Sequence, residues 1–342
     1  MPQYDIGPIE GKMLEEIDWE KYEDFRWNNY SFEELAEDTV AEVQPKWRIP
    51  EKVCIQCAIS GGGARLHNAN PYQPQNLDDI RDQGAAVIEV GASVVHFDFD
   101  LRACHTKDGK EIPIGESYAY VVNPLLEKYG REKLVPHINC LRGTFQQQML
   151  PVVTNLAELT YVHPKGSPTY NGMVIPLIKK HGLKGEIVVH VNTEIDLAQR
   201  FFIETGLMSN PNLWIVLPAC PSRAAAGFLC EYMPNERSMA RGLVQLIESI
   251  REVDPGAFIT LCAAGRATRY LTTLGLLLGI HIRIGMEDTV WRYPHKDEKI
   301  KNNAEELCDA IAIARLLGRE IMTPNEYRET VGLKPRFDRP PK

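Results

Sequence analysis

Apolar residues fall in short runs of five to seven along most of the chain, and eight runs have the β-branched, aromatic character of buried strands. They are Val53 to Ile59, Val94 to Phe99, Val135 to Cys140, Leu156 to Val162, Ile187 to Val191, Leu213 to Leu217, Phe258 to Cys262 and Ile280 to Ile284. Between most of them lie stretches with helical spacing: Leu77 to Val90, Tyr118 to Tyr129, Ile195 to Thr205, Met239 to Val253 and Arg266 to Leu278. Strand and helix alternating about eight times predict a parallel (β/α)8 TIM barrel, with an open doubly wound sheet as the alternative. Residues 1–50 stand outside this rhythm. They mix Trp19, Tyr22, Phe25, Trp27, Tyr30 and Phe32 with Asp and Glu, and Ser31 to Leu35 predicts a short capped helix. The expected organisation is an N-terminal arm (1–50) followed by a barrel domain with C-terminal helices (51–342). The arm's apolar load predicts a homo-oligomer, a dimer or tetramer.

In a barrel of this kind the C-terminal strand ends carry the chemistry, and the polar clusters of this chain fall there. In the second run, alternation with period two puts His96, Asp98 and Asp100 on one face, where a histidine and carboxylates can share a divalent cation. The eighth run delivers Arg283, Glu287 and Asp288. The first leads into Ser60, Gly61 and Gly62, the third into Asn139 and Arg142, and the seventh into Arg266. The glycine run lacks the spacing of nucleotide sites and reads as a substrate-facing turn. Less functional readings stand beside these. Arg283 and Glu287 can form a structural ion pair, His96 can be a core histidine, and Asp98 can orient His96 while Asp100 or His105 takes its place. His67, His137, His163 and His181 are placed in or beside loops without a catalytic role, and His281, which alternation puts on the face of Arg283, is read as packed or as supporting the site residues from behind.

With 342 residues, 44% hydrophobic and 25% charged, the chain can bury a large core. A net charge of -8 and a pI near 5.7 supply no basic field, so nucleic acid and anionic membranes are excluded as expected partners. No run reaches the length of a membrane span, and the expected location is cytoplasmic. The eight cysteines are scattered and read as reduced core thiols, Cys54 and Cys57 included.

The chain resembles the β-keto acid cleavage enzyme family, whose type member cleaves 3-keto-5-aminohexanoate. The resemblance rests on Ala58-Ile59-Ser60-Gly61, Asn70-Pro71, Val95-His96, Ala264-Gly265-Arg266, Arg283-Ile284-Gly285-Met286-Glu287-Asp288, Asn303-Ala304-Glu305 and Thr323 to Arg328, and covers roughly residues 50 to 333. It implies a metal-dependent barrel that acts on a small oxo acid through an enolate. The deprotonated carbon adds to acetyl-CoA, and cleavage gives acetoacetate and a new acyl-CoA. The resemblance assigns His96 and Glu287 to the metal and Arg283 and Asp288 to a catalytic dyad, while Arg142 and Arg266, read as strand-end cations, suit a carboxylate or CoA phosphate. The family's second histidine is Asp98 here, which makes the expected set His96, Asp98 and Glu287 around Zn2+, with Mn2+ or Fe2+ as alternatives. Gly63 and Leu141 stand where the family has a glutamate and a serine, and His190, Asn192 and Glu194 compete for a further glutamate position. A CoA-independent lyase or hydrolase on an oxo acid, and a non-catalytic ligand-binding barrel, are the alternative functions.

Overall fold

In the computed structural model, residues 10–22, 46–60, 70–218 and 235–335 are described. Eight parallel strands close a barrel in chain order: β2 (Ile55–Ala58), β3 (Val94–Phe97), β4 (Pro136–Ile138), β5 (Leu159–Val162), β6 (Lys184–Val189), β7 (Leu213–Val216), β8 (Phe258–Cys262) and β9 (His281–Ile284). All residues of these strands are buried, as expected when one face meets helices and the other the barrel interior. A short parallel pair, β1 (Lys52–Val53) with β10 (Glu320–Ile321), lies outside the barrel. The open-sheet alternative is thereby set aside.

Helices α1 (Leu77–Val90), α2 (Ile114–Tyr129), α3 (Phe145–Val153), α4 (Pro168–Lys180), α5 (Asn192–Ala198), α6 (Glu236–Val253), α7 (Thr268–Leu277), α8 (Asn303–Leu316) and α9 (Pro324–Thr330) follow the strands. In α1, Asn76 accepts the Asp79 N–H at 3.0 Å, and Leu77, Ile80, Gly84, Val87 and Ile88 form the buried stripe. The expected bounds of α1 coincide with those observed. By contrast α3 and α4, each with an internal proline, Pro151 or Pro176, were not anticipated, although Pro124 did not hide α2. The helix expected from Ile195 starts at Asn192 and gives way to a π turn over Gln199–Ile203. Strand β6 begins three residues before its expected start because it buries two charged residues. Lys184 Nζ donates to the Ser209 and Pro211 carbonyls, both at 2.8 Å, and Glu186 enters the barrel.

The N-terminal end of the barrel is closed. Cys54, Val94, Val135, Leu159, Leu213 and Phe258 form one apolar cluster with Met322, Tyr327 and Val331 from α9 and its flanks. Fully buried Arg328 donates to Glu158 at 2.7 and 2.9 Å and to the Leu134 carbonyl at 2.8 Å. A solute therefore meets the interior from the opposite, C-terminal mouth.

Met1–Arg48 and Ile49–Lys342 are separate compact units. In the first, Met13, Leu14, Trp19 and Trp47 are exposed. The helix expected at Ser31 to Leu35, and Phe25, Trp27 and Tyr30, lie outside the described residues, as do Gly61 and Gly62. Among the described residues no helix is long and apolar enough to cross a membrane. Cys54, Cys57, Cys104, Cys140, Cys262 and Cys308 are free.

Candidate active site at the C-terminal mouth

β9 turns out of the barrel through Gly285, which has φ 136° and lies so close to β2 that an added Cβ would run into the Ala58 carbonyl. That approach lets the Glu287 N–H reach the Ala58 carbonyl at 3.3 Å and folds the next residues over the mouth. Asn303, at the start of α8, fixes the turn by accepting the Met286 N–H at 2.8 Å and donating to the Ile59 carbonyl at 2.9 Å.

Arg283 holds both carboxylates of the turn. Its Nε and Nη2 donate to the two oxygens of Asp288 at 3.0 and 2.6 Å, and Nη2 also donates to Glu287 Oε1 at 2.6 Å. Nη1 donates to the Tyr161 hydroxyl of β5. Burial raises the proton affinity of both carboxylates and Arg283 opposes it, leaving Glu287 at about 8 and Asp288 above its ordinary value.

His96 closes on this group from β3, its Nε2 at 3.5 Å from Glu287 Oε2. Neither atom has a hydrogen-bond partner among the described residues, and the same is true of His96 Nδ1. Burial, then the nearby Arg283 charge, holds the imidazole well below its ordinary pKa. In the paired register His137 of β4 lies beside His96, with ring centroids 4.6 Å apart and edge to face. This corrects the loop placement of His137: it is a strand residue, fully buried, with neither ring nitrogen hydrogen-bonded among the described residues. Beneath it, Glu186 accepts from Gln56 at 2.9 Å across the barrel, and burial pushes that carboxyl up to about 7. Gln56, His137, Tyr161 and Glu186 form a polar layer under the mouth. Their signal in the sequence was polar residues inside strand runs, which alternation alone does not separate from outward positions.

Asp98 is engaged elsewhere. It accepts from Arg142 Nε at 2.7 Å and Nη2 at 3.2 Å, and from Asn139 Nδ2 at 3.0 Å. Asp98 and Arg142 nevertheless lie close enough to act on the charge of Glu287. Asp100 caps the turn at Leu101–Ala103 and pairs with Arg102, while His105 bridges to Glu111. Ser60 is buried at the end of β2. Arg266 is bonded to Asp297 and the Lys296 carbonyl and stacked 3.9 Å over Trp291. His281 belongs to the closed end, stacked on Phe258 and accepting the Cys54 N–H at 3.1 Å.

A second charged group occupies the mouth at β5 and β6. Glu194 accepts the His190 and Val191 N–H groups, the latter at 3.2 Å, lies 3.2 Å from His190 Nδ1 and pairs with Lys165 at 2.7 Å. Burial alone would raise its pKa, but these partners bring it to about 2. His163 lies beside this group and is lowered to about 4, chiefly by burial.

Among the described residues no three His, Cys, Asp or Glu side chains converge as a metal-holding group. His96 Nε2 and Glu287 Oε2 do fit two donors to one cation in type, separation and lack of other partners. Asp98 differs from them, since Arg142 and Asn139 use its oxygens.

Residues 163–333 match the family model described as beta-keto acid cleavage enzyme. The 3-keto-5-aminohexanoate cleavage enzyme of Fusobacterium nucleatum is 26% identical over 298 residues, 83% of this chain and 99% of that protein. The enzyme of the same name from Acetoanaerobium sticklandii is 25% identical over 297 residues, again 83% and 99%. Among solved structures, ObcA in binary complex with oxaloacetate aligns with a TM-score of 0.60 at 16% identity, covering 77% of this chain and 68% of that one. At that identity the likeness speaks for the shared barrel.

Proposed function

The chain belongs to the β-keto acid cleavage enzyme family, and from that premise we propose that it cleaves a carbon–carbon bond in a β-keto acid with acetyl-CoA as co-substrate. The observation that carries the reading is the fork of Arg283 onto Glu287 and Asp288, facing the open Nε2 of His96. Held between His96 and Glu287, a divalent cation, most simply Zn2+ with Mn2+ or Fe2+ as alternatives, would supply a Lewis acid for the keto oxygen. Asp288 is the group that removes the proton from the carbon between the two carbonyls. Arg283 holds both its oxygens, fixing its orientation, while burial raises its basicity above that of an exposed aspartate. Tyr161 steadies Arg283 from across the mouth. Arg142, held in place by Asp98, is an anchor for the substrate carboxylate.

The carbanion carbon then bonds to the acetyl carbonyl and CoA thiolate leaves. Attack of that thiolate on the keto carbon breaks the old carbon–carbon bond and gives acetoacetate and a new acyl-CoA. A panel of β-keto acids in D2O, with and without acetyl-CoA, tests this by deuterium exchange and acyl-CoA formation. Both signals are expected. Exchange without acyl-CoA would favour a CoA-independent lyase, and neither signal on any member would defeat the enolate reading.

A further inference from the structure

The β4, β5 and β6 ends of the mouth carry several hydrogen-bonding groups, of which the proposed chemistry uses only Arg142 with Asp98. Barrel order puts β5 and β6 across from β9 and β2, so the end of a substrate remote from its reacting carbon extends toward them. The donors and acceptors there are unequal. Glu194 takes two backbone N–H groups on Oε2, beside the His190 ring, and pairs through Oε1 with Lys165. Asp98 takes two bonds from Arg142 and one from Asn139. An ammonium arriving here would find both carboxylates already neutralised by cations.

Donors, by contrast, remain. Arg142 has five N–H groups, of which Nε and one on Nη2 serve Asp98, and its side chain is 35% exposed against 6% for Asp98. Lys165 has three, and its partner among the described residues is Glu194 alone. Its ammonium nitrogen is buried, so the spare N–H groups carry a desolvation cost that an anionic acceptor would relieve. The two cations also differ in place. Arg142 holds Asp98, which directly follows the strand that carries His96, and so sits near the reacting end, where it suits the carboxylate every β-keto acid carries. Lys165 lies one strand further on, paired with a residue of α5.

We propose that Lys165 receives a second anionic group, so that the substrate is a 3-oxo dicarboxylic acid and not the amino-substituted keto acid after which the similar enzymes are named. This rests on the β-keto acid reading above. The test compares 3-oxohexanedioate, 3-oxohexanoate and 5-amino-3-oxohexanoate, which share a backbone and differ in charge at the remote end. In the unaltered protein kcat/KM should be highest for the diacid, by roughly tenfold over the neutral acid, as a charge-assisted hydrogen bond provides. Lys165→Met should collapse that ratio toward one through KM of the keto acid. Preference for the amino acid, or equal rates on all three, would overturn the assignment and leave the cleavage reaction standing. Turnover of none would remove the cleavage reading and this one with it. A Lys165→Met effect on KM for acetyl-CoA with the diacid preference unchanged would assign the lysine to CoA and overturn the proposal.

Discussion

His96 Nε2 and Glu287 Oε2 stand 3.5 Å apart in the buried mouth, each without a hydrogen-bond partner among the described residues. Two donors on one cation, at bonds of about 2.1 Å and a tetrahedral angle, are separated by about 3.4 Å. The purified protein is therefore expected to carry one divalent metal per chain, and His96→Ala and Glu287→Gln to lose most of it. Elemental analysis after gel filtration measures this. Full metal in both variants, with normal circular dichroism, would assign the cation elsewhere.

Asp288 and Glu287 are neighbours in sequence with separate duties, and single substitutions should distinguish them. Asp288→Asn removes the base but leaves His96 and Glu287 untouched. Turnover should fall by roughly a hundredfold to ten-thousandfold with metal content retained. Glu287→Gln should lose metal and turnover together. Equal metal loss in the two variants would contradict the division of roles.

Much of this site was legible because its parts are local. Arg283, Glu287 and Asp288 lie within six residues of one another, and a strand followed by a tight turn brings them together whatever the rest of the barrel does. His96 was legible for the same reason, as a polar residue on an apolar strand. What sequence spacing missed depends on neighbouring strands. His137 meets His96 only through the β3 and β4 register, and Glu186 meets Gln56 only across the closed barrel. The reading of Asp98 relied on alternation continuing past Phe97, yet β3 ends there, and beyond it Asp98 is bound by Arg142 from the loop that follows β4. The fold was legible because repeated burial sets the strand and helix periods. Helices α3 and α4 were not, since packing overrides their local signal.

At the closed end, His281 makes stability depend on pH. Burial lowers its pKa from the ordinary 6.5 to about 3. Below pH 6.5 the unfolded chain takes up a proton that the folded chain refuses until about pH 3, so the contribution is complete above that window and is lost as pH falls through it. By pH 5 the loss from this one group is about 2 kcal/mol. His281→Phe can keep the stacking on Phe258, and its cost in leaving the Cys54 N–H unpaired does not vary with pH. Urea unfolding at pH 7.5 and 5.0 should show a smaller acid loss in the variant. An identical loss in both proteins would mean that His281 titrates normally.

The pair of Arg328 and Glu158 tests whether the closed end is structural only. Arg328 is fully buried, donates to both oxygens of Glu158 and satisfies the Leu134 carbonyl, while Tyr327 beside it fills the barrel floor. Removing one partner of a buried pair strands the other, typically at a cost of about 3–5 kcal/mol. Arg131 still contacts Glu158 at 2.9 Å, so the lower end of that range applies to Arg328→Met. For a chain of this size such a loss is expected to lower the melting temperature by several degrees. The mouth lies at the opposite strand ends, so kcat/KM at low temperature and the ranking of the three keto acids should be unchanged. Arg328→Lys should recover only part of the loss, because an ammonium cannot span both oxygens of Glu158 and reach the Leu134 carbonyl. A changed substrate ranking in a folded Arg328→Met protein would show that the floor of the barrel shapes the site.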